Sequence, residues 1–275
     1  MVSFSAVDDT QAISPNWQWR NWEGLPYLTC NLLHHWQHGF FTQQFYPRLP
    51  EELINTFSST VSVYRLRQIH SDRVLTPTEI KLAQQKDSAD NHLAAGDGII
   101  TDELHQSVWV ASADCNPILI GDLATGRVCS IHAGWRGTAQ RIVPKAIARF
   151  QANGSSLDNL RIAIGPAIAG EVYQVETPVA AQVGASIIDS VDAAKESEII
   201  TALQQLPDSP LLDDDTPGRF RLDVRRVNQI QIEQLGISPQ QIAIAPFCTY
   251  QHSGHFFSYR RTQQKKVQWS GILSS

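Results

Sequence analysis

Two residues of metal-ligating type stand on either side of a short predicted turn. Cys115 precedes an apolar run, PILIGD, and His132 ends a second run, RVCSIH, with LATG between the runs. Apolar runs flanking a short turn of this kind predict a β-hairpin. If Gly121 faces Arg127, then Asn116 lies opposite His132. We therefore expect the Cys115 thiol and the His132 imidazole to meet at the open end of the hairpin.

A third ligand is predicted at the end of another strand-like run, VSVYRLRQIH, whose last residue is His70. Functional side chains concentrate where the elements of a rigid scaffold end. One cysteine and two histidines suit Zn²⁺ and leave a fourth position for water, as in catalytic zinc sites. Such a zinc makes its water acidic and supplies a nucleophile or a Lewis acid. The alternative is a buried, inert cysteine beside histidines that bind nothing.

The motif HAGWRG adds an arginine and two glycines directly after His132. Arg136 stands at the predicted start of a helix, where free N–H groups favour anions and a guanidinium can clamp phosphate or carboxylate. The alternative is a surface arginine beside a packing tryptophan. Gly134 and Gly137 are expected to form the tight turn between strand and helix.

A second cluster of functional residue types lies near the end of the chain, in HSGHFFSYRR (252–261). This segment is either a stacking and anion-binding element or an aromatic strand with a basic end. Cys248, just before it, is expected to be buried rather than part of a site. Either Cys248 or His252 could also complete a four-ligand zinc site, whose role would then be structural.

Predicted strands and helices mix without strict βαβ alternation. Strands are predicted at 61–70, 97–102, 107–114, 117–122, 127–132, 161–168 and 241–248. Helices are predicted at 138–150, 176–191, 194–206 and 223–236, the last capped by Asp223 and ended by Gly236. Surface loops are predicted at 84–96 and 207–218, and an irregular segment at 1–25. The pattern predicts an α+β (mixed α/β) fold in which 1–275 form a single domain, with a mixed β-sheet flanked by helices.

Composition and missing motifs exclude several classes of protein. With 42% hydrophobic residues, 18% charged residues and a net charge of −5, the chain is typical of a globular protein without a nucleic-acid surface. No apolar run approaches the length of a membrane helix, and the N-terminus does not resemble a signal peptide. Four cysteines without a CxxC pair are expected to be reduced thiols. We therefore expect a cytoplasmic protein with small-molecule partners; the sequence leaves the oligomeric state open.

Several catalytic motifs are absent as well. The chain contains no P-loop, no GxSxG elbow, no HExxH helix and no nucleobase-deaminase signature. It also contains no HxH pair, which argues against a blue multicopper oxidase with its clustered histidines.

Seven motifs occur in an order that resembles a known family: QIHSDRV, DGIIT, ADCNPILI, HAGWRG, IGPAI, DV…N and CT…FFSYRR. Together they resemble the bacterial polyphenol oxidase or laccase-domain family, described as zinc-dependent purine nucleoside phosphorylases. The resemblance implies a single-domain mixed α/β fold with zinc bound by His70, Cys115 and His132. We further expect Cys115 and Arg136 to be catalytic and Phe257 and Arg260 to bind substrate.

The activity implied by the resemblance is phosphorolysis of adenosine, inosine, guanosine and methylthioadenosine, with hydrolytic deamination of adenosine. Two other activities described in the family are alternatives: copper-dependent oxidation of phenols, and editing of wrongly built muramyl precursors by a cytoplasmic amidase. The third alternative is a protein in which the zinc only stabilises the fold. The chain departs from the family pattern in HGFFTQQFYPR (38–48), in TQQKKVQWSG after FFSYRR, and in the absence of cysteines from IGPAIAGEVYQVE. We therefore expect a narrower or slower substrate profile than is usual in the family.

Overall fold

The computed structural model describes residues 12–58, 60–86, 93–188 and 195–275. Sixteen strands lie in these ranges: β1 (Ala12–Ser14), β2 (Trp17–Trp22), β3 (Leu25–Cys30), β4 (His38–Phe41), β5 (Ser62–Tyr64), β6 (Val74–Leu75), β7 (Gly98–Ile100), β8 (Gln106–Ser112), β9 (Asn116–Asp122), β10 (Val128–Ala133), β11 (Leu160–Ile164), β12 (Gln174–Glu176), β13 (Leu211–Asp213), β14 (Arg219–Leu222), β15 (Ile242–Ile244) and β16 (Gln268–Leu273). The same ranges contain eight α-helices: α1 (Pro50–Leu53), α2 (Pro77–Lys86), α3 (Trp135–Ala139), α4 (Ile142–Ala152), α5 (Thr177–Gly184), α6 (Glu196–Gln204), α7 (Val224–Gln234) and α8 (Tyr259–Thr262). None of the helices described is long and apolar enough to cross a bilayer.

Two large mixed sheets pack against each other. One has the strand order β1-β2-β3-β4-β16-β8-β5 and the other β15-β11-β9-β10-β7-β6. Their facing sides share one hydrophobic cluster, with Phe40 and Val108 from the first sheet and Leu119 and Ala163 from the second. The predicted α+β class is confirmed, although the strands form two large sheets where the sequence predicted one. Strand patterns do not specify which strands share hydrogen bonds, and this partition depends on tertiary packing.

Helices cover the outer face of the six-stranded sheet. Ile118 and Ile120 of β9 pack with Ile147 and Phe150 of α4, and α7 contributes Ile232 to the same cluster. Full burial of each such side chain contributes about 1.5–3 kcal/mol to the stability of the folded state. A smaller sheet, β12-β14-β13, packs with α5 and α6 in a separate cluster. The central strands are therefore covered on both faces, which explains their continuous apolar sequences.

The hairpin that brings two predicted ligands together is formed by β9 and β10. Its register differs from the prediction by one residue, because His132 pairs with Pro117 rather than with Asn116. The cause lies in the turn: the Asp122 N–H donates to the Arg127 carbonyl at 2.9 Å, so Arg127 faces Asp122 rather than Gly121. Cys115 nevertheless directly precedes β9 and stays near His132.

Two predicted segments were wrong in their extent. The strand predicted at 61–70 is limited to β5, and His70 lies in a bend with φ +59° because the local backbone N–H groups bind the Asp97 carboxylate instead of a neighbouring strand. The segment 1–25 is not irregular over residues 12–25, where β1, β2 and the start of β3 form because Trp17 and Trp19 enter the core. Residues 1–11 lie outside the described residues.

The helix predictions were correct in kind but not in their limits. The helix predicted at 138–150 is two helices, α3 and α4, separated by Arg141 at φ +61°. The predicted Asp223 cap of α7 is confirmed, since its carboxylate accepts from the Arg225 and Arg226 N–H groups. Gly236 follows α7 at φ +91°, as a helix stop requires.

Other predicted limits depend partly on residues that are not described. The helices at 176–191 and 194–206 correspond to α5 and α6, whereas residues 189–194 lie outside the described ranges. The loop at 84–96 begins inside α2, and residues 87–92 of it are not described. The loop at 207–218 contains β13, and HSGHFFSYRR ends in the helical turn α8 rather than forming an aromatic strand.

Candidate metal centre and adjoining cavity

Three side chains from three separate segments converge at one point. His70 comes from the bend before β6, Cys115 from the residue preceding β9, and His132 from the end of β10. One ligand atom from each, two imidazole nitrogens and a thiol sulfur, lies within 4.8 Å of the others. Burial increases from the exposed His70 through Cys115 to the buried His132. The group therefore has the chemistry of a metal site that opens to solvent on one side.

The His132 ring is oriented by a buried carboxylate. Its Nδ1 lies 2.9 Å from Oδ1 of Asp97, which is fully buried. An ionised carboxylate only accepts hydrogen bonds, so Nδ1 carries a proton and Nε2 is the ring nitrogen left to bind a metal, which would displace any proton there. Histidines that bind metals commonly donate their other ring N–H to a carboxylate in this way. His132 is therefore prepared to bind a metal through Nε2.

The electrostatics of the group favour a thiolate. Burial alone would raise the pKa of the Cys115 thiol, but the adjacent His132 and His70 rings lower it to about 6. Burial would lower the pKa of His132, and the charges of Cys115 and Asp97 raise it to about 9. A deprotonated cysteine is the form that binds metal ions.

Gly134 leaves room for the cysteine. A Cβ at this position would lie 2.8 Å from Cys115 Sγ and 3.3 Å from Cδ2 of His70. Gly134 is the single residue between β10 and α3, so it forms the predicted tight turn, but its φ of −69° is open to any residue and does not require glycine. Gly137, also predicted to turn the chain, lies inside α3, where a Cβ would be 3.1 Å from the Ser71 carbonyl oxygen. Both glycines serve close packing.

Neither Cys248 nor His252 joins this group. Cys248 is buried, as predicted, and its Sγ accepts from the Ala169 N–H at 3.3 Å. Nδ1 of His252 lies 3.1 Å from the Cys248 carbonyl oxygen. Within the described part of the chain, the group therefore offers three ligands, whereas a structural zinc normally has four. This count favours a site with an open position.

A cavity of about 730 Å³ adjoins the three ligands. Its wall also includes Arg260, Lys265 and Lys266, and one acidic residue, Asp114. The Asp114 carboxylate is already engaged, since it accepts from the Thr249 hydroxyl and from the Arg260 N–H, each at 2.7 Å. The cavity therefore presents an excess of positive charge, which suits an anionic or electron-rich ligand.

Arg260 is held in place on this wall. Its guanidinium carbon lies 4.7 Å from the ring centre of Tyr173, and its Nη1 donates to the Gln174 carbonyl at 2.9 Å. Stacking and one hydrogen bond restrict the side chain and leave its other N–H groups available. Of the predicted substrate-binding residues, Arg260 is the one on the cavity wall.

The structure does not bring Arg136 and Phe257 to the ligand group. Arg136 is exposed and stacks on the neighbouring Trp135, with 4.2 Å from its guanidinium carbon to the ring centre. Phe257 packs edge-on against Tyr46, with 5.5 Å between ring centres, and beneath the Lys266 ammonium at 5.9 Å. Lys266 lines the cavity, so Phe257 reaches it only through that lysine.

Sequence reasoning missed three residues of the site. Asp97 and Asp114 stand at the ends of predicted strands, and this position is the signal that could have identified them. Asp114 also has a φ of +90°, a conformation that non-glycine residues seldom adopt. Tyr173 lies on the cavity wall, and burial raises the pKa of its phenol to about 12. Its sequence neighbourhood gives no signal of this position.

Comparison with known proteins adds independent findings. Residues 50–272 match a family model described as multi-copper polyphenol oxidoreductase laccase. The chain is similar to a protein of Synechocystis sp. named purine nucleoside phosphorylase, with 53% identity over 258 residues that cover 94% of this chain and 97% of that protein. It is 29% identical over 195 residues to a protein named adenosine deaminase RL5, from an unknown prokaryotic organism, covering 71% of this chain and 68% of that protein. The fold is shared with the crystal structure of YlmD from Geobacillus stearothermophilus at a TM-score of 0.75 and 21% identity, over 98% of this chain and 99% of that chain.

Proposed function

The chain belongs to the family of multi-copper polyphenol oxidoreductase laccases, and from this membership we propose that it is a zinc-dependent purine nucleoside phosphorylase that also deaminates adenosine. The relatives named purine nucleoside phosphorylase and adenosine deaminase support the two activities. The observation that carries the proposal is the convergence of two histidines and one cysteine on the wall of a 730 Å³ cavity. Adenosine, inosine, guanosine and methylthioadenosine are the proposed nucleosides.

The donor set fits zinc. Two imidazoles and one thiolate are its usual ligands, and the orientation of His132 by Asp97 matches the way in which zinc-binding histidines are held. When bound, zinc supplies Lewis-acid chemistry and a water acidic enough to react near neutral pH. Copper, which binds nitrogen and sulfur ligands more tightly than zinc, is the alternative metal. Metal analysis of the purified protein distinguishes the two.

The residues of the cavity wall support roles in binding the substrates. Arg260 is proposed to hold phosphate, because its anchored guanidinium retains free N–H groups and lies near Lys265 and Lys266. Phe257 is proposed to support substrate binding by holding Lys266 from below. Tyr173 stays protonated and can donate a hydrogen bond to a nucleoside oxygen or nitrogen.

Arg136 and Cys115 are proposed as catalytic residues. Cys115 acts as the anionic metal ligand, in agreement with its lowered thiol pKa. Arg136 stands in the first turn of α3, outside the cavity wall, and its charge lowers the pKa of the Tyr173 phenol on that wall, which supports an electrostatic effect on the site. In phosphorolysis a phosphate oxygen bonds to C1′ of the ribose as the purine leaves; in deamination water adds at C6 and ammonia leaves.

We also propose that the enzyme acts in the cytoplasm on free nucleosides and phosphate. All four cysteines lie in described parts of the chain and are free thiols, as a reducing compartment requires. The net charge of −5 supports small-molecule partners rather than nucleic acid.

Product analysis tests the function. Purified protein is incubated with adenosine, with and without phosphate, and the products are separated by chromatography. We expect adenine only with phosphate, and some inosine in both conditions, because deamination needs only water. Chelation of the metal should abolish both products. If adenosine is untouched while a muramyl–serine precursor is cleaved, the amidase alternative replaces this proposal.

A further inference from the structure

One fully buried carboxylate, that of Asp97, accepts five hydrogen bonds at the ligand group. Three come from backbone N–H groups of one bend: Ile69 at 3.2 Å, His70 at 3.0 Å and Ser71 at 2.7 Å. The Ser71 hydroxyl donates at 2.8 Å, and the fifth donor is Nδ1 of His132 at 2.9 Å. Two of the three ligand residues, from segments far apart in the chain, therefore depend on one side chain.

The bend that carries His70 needs this support. His70 has a φ of +59°, in the left-handed region that is unfavourable for a residue with a Cβ. Its side chain is exposed and is not held by core packing. Three consecutive N–H groups aimed at one carboxylate therefore fix the backbone from which the imidazole projects.

His132 is connected to the same residue twice. Besides the contact between its ring and the carboxylate, its backbone N–H donates to the Asp97 carbonyl at 2.7 Å. The main chain of Asp97 is itself fixed, because its N–H donates to the Arg73 carbonyl at 2.9 Å. Asp97 thus links the bend and the hairpin through rigid contacts.

We propose that Asp97 is a positioning residue that sets the backbone of His70 and the ring of His132 in the metal-binding arrangement before any metal is bound. All five contacts are donors, so the position requires a group that only accepts hydrogen bonds. An amide of the same shape must turn its NH₂ toward some of these donors, which releases either the bend or the ring.

Asp122 supplies a matched control. It is also fully buried and lies in the same sheet, where it accepts from the Ala124 N–H at 2.9 Å and the Thr125 hydroxyl at 2.8 Å. It ends β9, whereas Cys115 precedes the start of that strand, so the two residues are about 20 Å apart at the usual rise of a strand. Asp122→Asn therefore disturbs a buried carboxylate of the same sheet without touching the ligands.

The test compares zinc affinity in the full chain by competition with a chelator. We expect Asp97→Asn to weaken zinc binding by roughly 10- to 100-fold, the usual effect of losing a partner of a metal-binding histidine. Asp122→Asn should bind zinc within about twofold of the wild type. This should hold even if its melting temperature falls as far as that of Asp97→Asn, because both variants disturb a buried hydrogen-bonded carboxylate. Wild-type affinity in Asp97→Asn, or an equal loss in Asp122→Asn, overturns the proposal.

A measurement on the metal-free wild type keeps the proposal testable if Asp97→Asn does not fold. Nitrogen-15 NMR of the histidine side chains should show a proton on Nδ1 of His132 that is protected from solvent exchange. Ser71→Ala, which removes one of the five donors, should leave that signal in place and weaken zinc binding by less than about threefold. An Nδ1 of His132 that carries no proton, or an Nδ1 proton in rapid exchange with solvent, in metal-free protein overturns the proposal.

Discussion

At the scale of single residues, Cys115 distinguishes this centre from an ordinary pair of histidines. Cys115 contributes the anionic, soft donor. Gly134 has no side chain, which leaves room for the Cys115 sulfur beside His70. The His132 ring is oriented by the Asp97 carboxylate, which contacts its Nδ1. The metal affinity therefore depends most strongly on this thiol.

Replacing Cys115 should remove the metal. We expect Cys115→Ser to retain a small fraction of the wild-type zinc after dialysis, because a neutral hydroxyl is a much weaker ligand than a thiolate. Metal content is measured by elemental analysis. Cys248→Ser is the control, since Cys248 lies outside the ligand group and should keep full occupancy. Full occupancy in Cys115→Ser would contradict the assignment of the ligands.

Replacing Arg260 or Arg136 with lysine should impair the reaction, because lysine keeps the positive charge but lacks the forked guanidinium. Arg260→Lys keeps the charge but loses the stacked, forked guanidinium, so we expect KM for phosphate to rise about 10-fold or more. Arg136→Lys should lower kcat, in accordance with its proposed catalytic role. Both are measured by phosphate titrations of adenine release. Unchanged rates in either variant argue against the role assigned to that arginine.

At the scale of the elements, the three ligands are held in two different ways. Cys115 and His132 flank a hairpin whose strands, β9 and β10, are buried throughout, so their separation is set by the sheet. His70 lies on a bend without regular structure and is held by hydrogen bonds to Asp97. The hairpin is therefore the rigid part of the centre, and the bend is the part that a single substitution can release.

The start of strand β4 should make the fold sensitive to acid. The buried His38 ring holds two backbone groups, since Nδ1 contacts the Trp36 carbonyl and Nε2 accepts from the Cys30 N–H, each at 2.8 Å. Burial lowers the pKa of His38 to about 4, against 6.5 when unfolded. Between pH 4 and pH 6.5, His38 therefore binds a proton more readily in the unfolded chain than in the folded one. The free energy of unfolding that His38 contributes is complete above pH 6.5 and falls by about 3 kcal/mol as the pH drops toward 4.

Denaturant unfolding at several pH values tests this expectation. His38→Gln can make the same two hydrogen bonds but does not titrate, so it should lose less stability than the wild type between pH 6.5 and 4. Parallel curves for the two proteins would show that His38 is not the group responsible.

At the scale of the whole molecule, the centre joins segments that the chain holds far apart. His70 precedes β6, at the edge of the six-stranded sheet, whereas β9 and β10 lie inside it. The adjoining cavity wall also includes residues connected to the seven-stranded sheet. Arg260 lies in α8, which precedes β16, and Trp269 lies in β16 itself. His70 of the bend and Cys115 and His132 of the hairpin would hold a metal only in the folded chain, because folding brings them together.

Metal removal should therefore lower the melting temperature. Free zinc at about 1,000 times its dissociation constant stabilises the folded state by about 4 kcal/mol. For a chain of this size that is a shift on the order of 10 °C. Scanning calorimetry with and without a chelator measures the shift, and Cys115→Ser should show little of it. A wild-type protein that melts at the same temperature in both conditions would count against the site.

The sequence by itself predicted which three residues converge at the candidate metal centre, and it determined the class of fold. The apolar runs on either side of LATG were enough to predict the hairpin, because two strand-like runs joined by a short turn pair with each other. With Cys115 and His132 at its open end, the hairpin put two ligands together even though the register was wrong by one residue. The cap at Asp223 and the stop at Gly236 were also local, and both were predicted correctly.

Only the tertiary structure decided how the ligands are held and which cations line the cavity. The bend at His70 is made by hydrogen bonds to Asp97, which lies 27 residues away, so no local pattern contains it. The same long-range contact orients the His132 ring. Arg136, in the strongest motif of the chain, stacks on Trp135 away from the cavity wall, whereas Lys265 and Lys266 line it. Side-chain direction depends on packing between elements, and local sequence does not encode it.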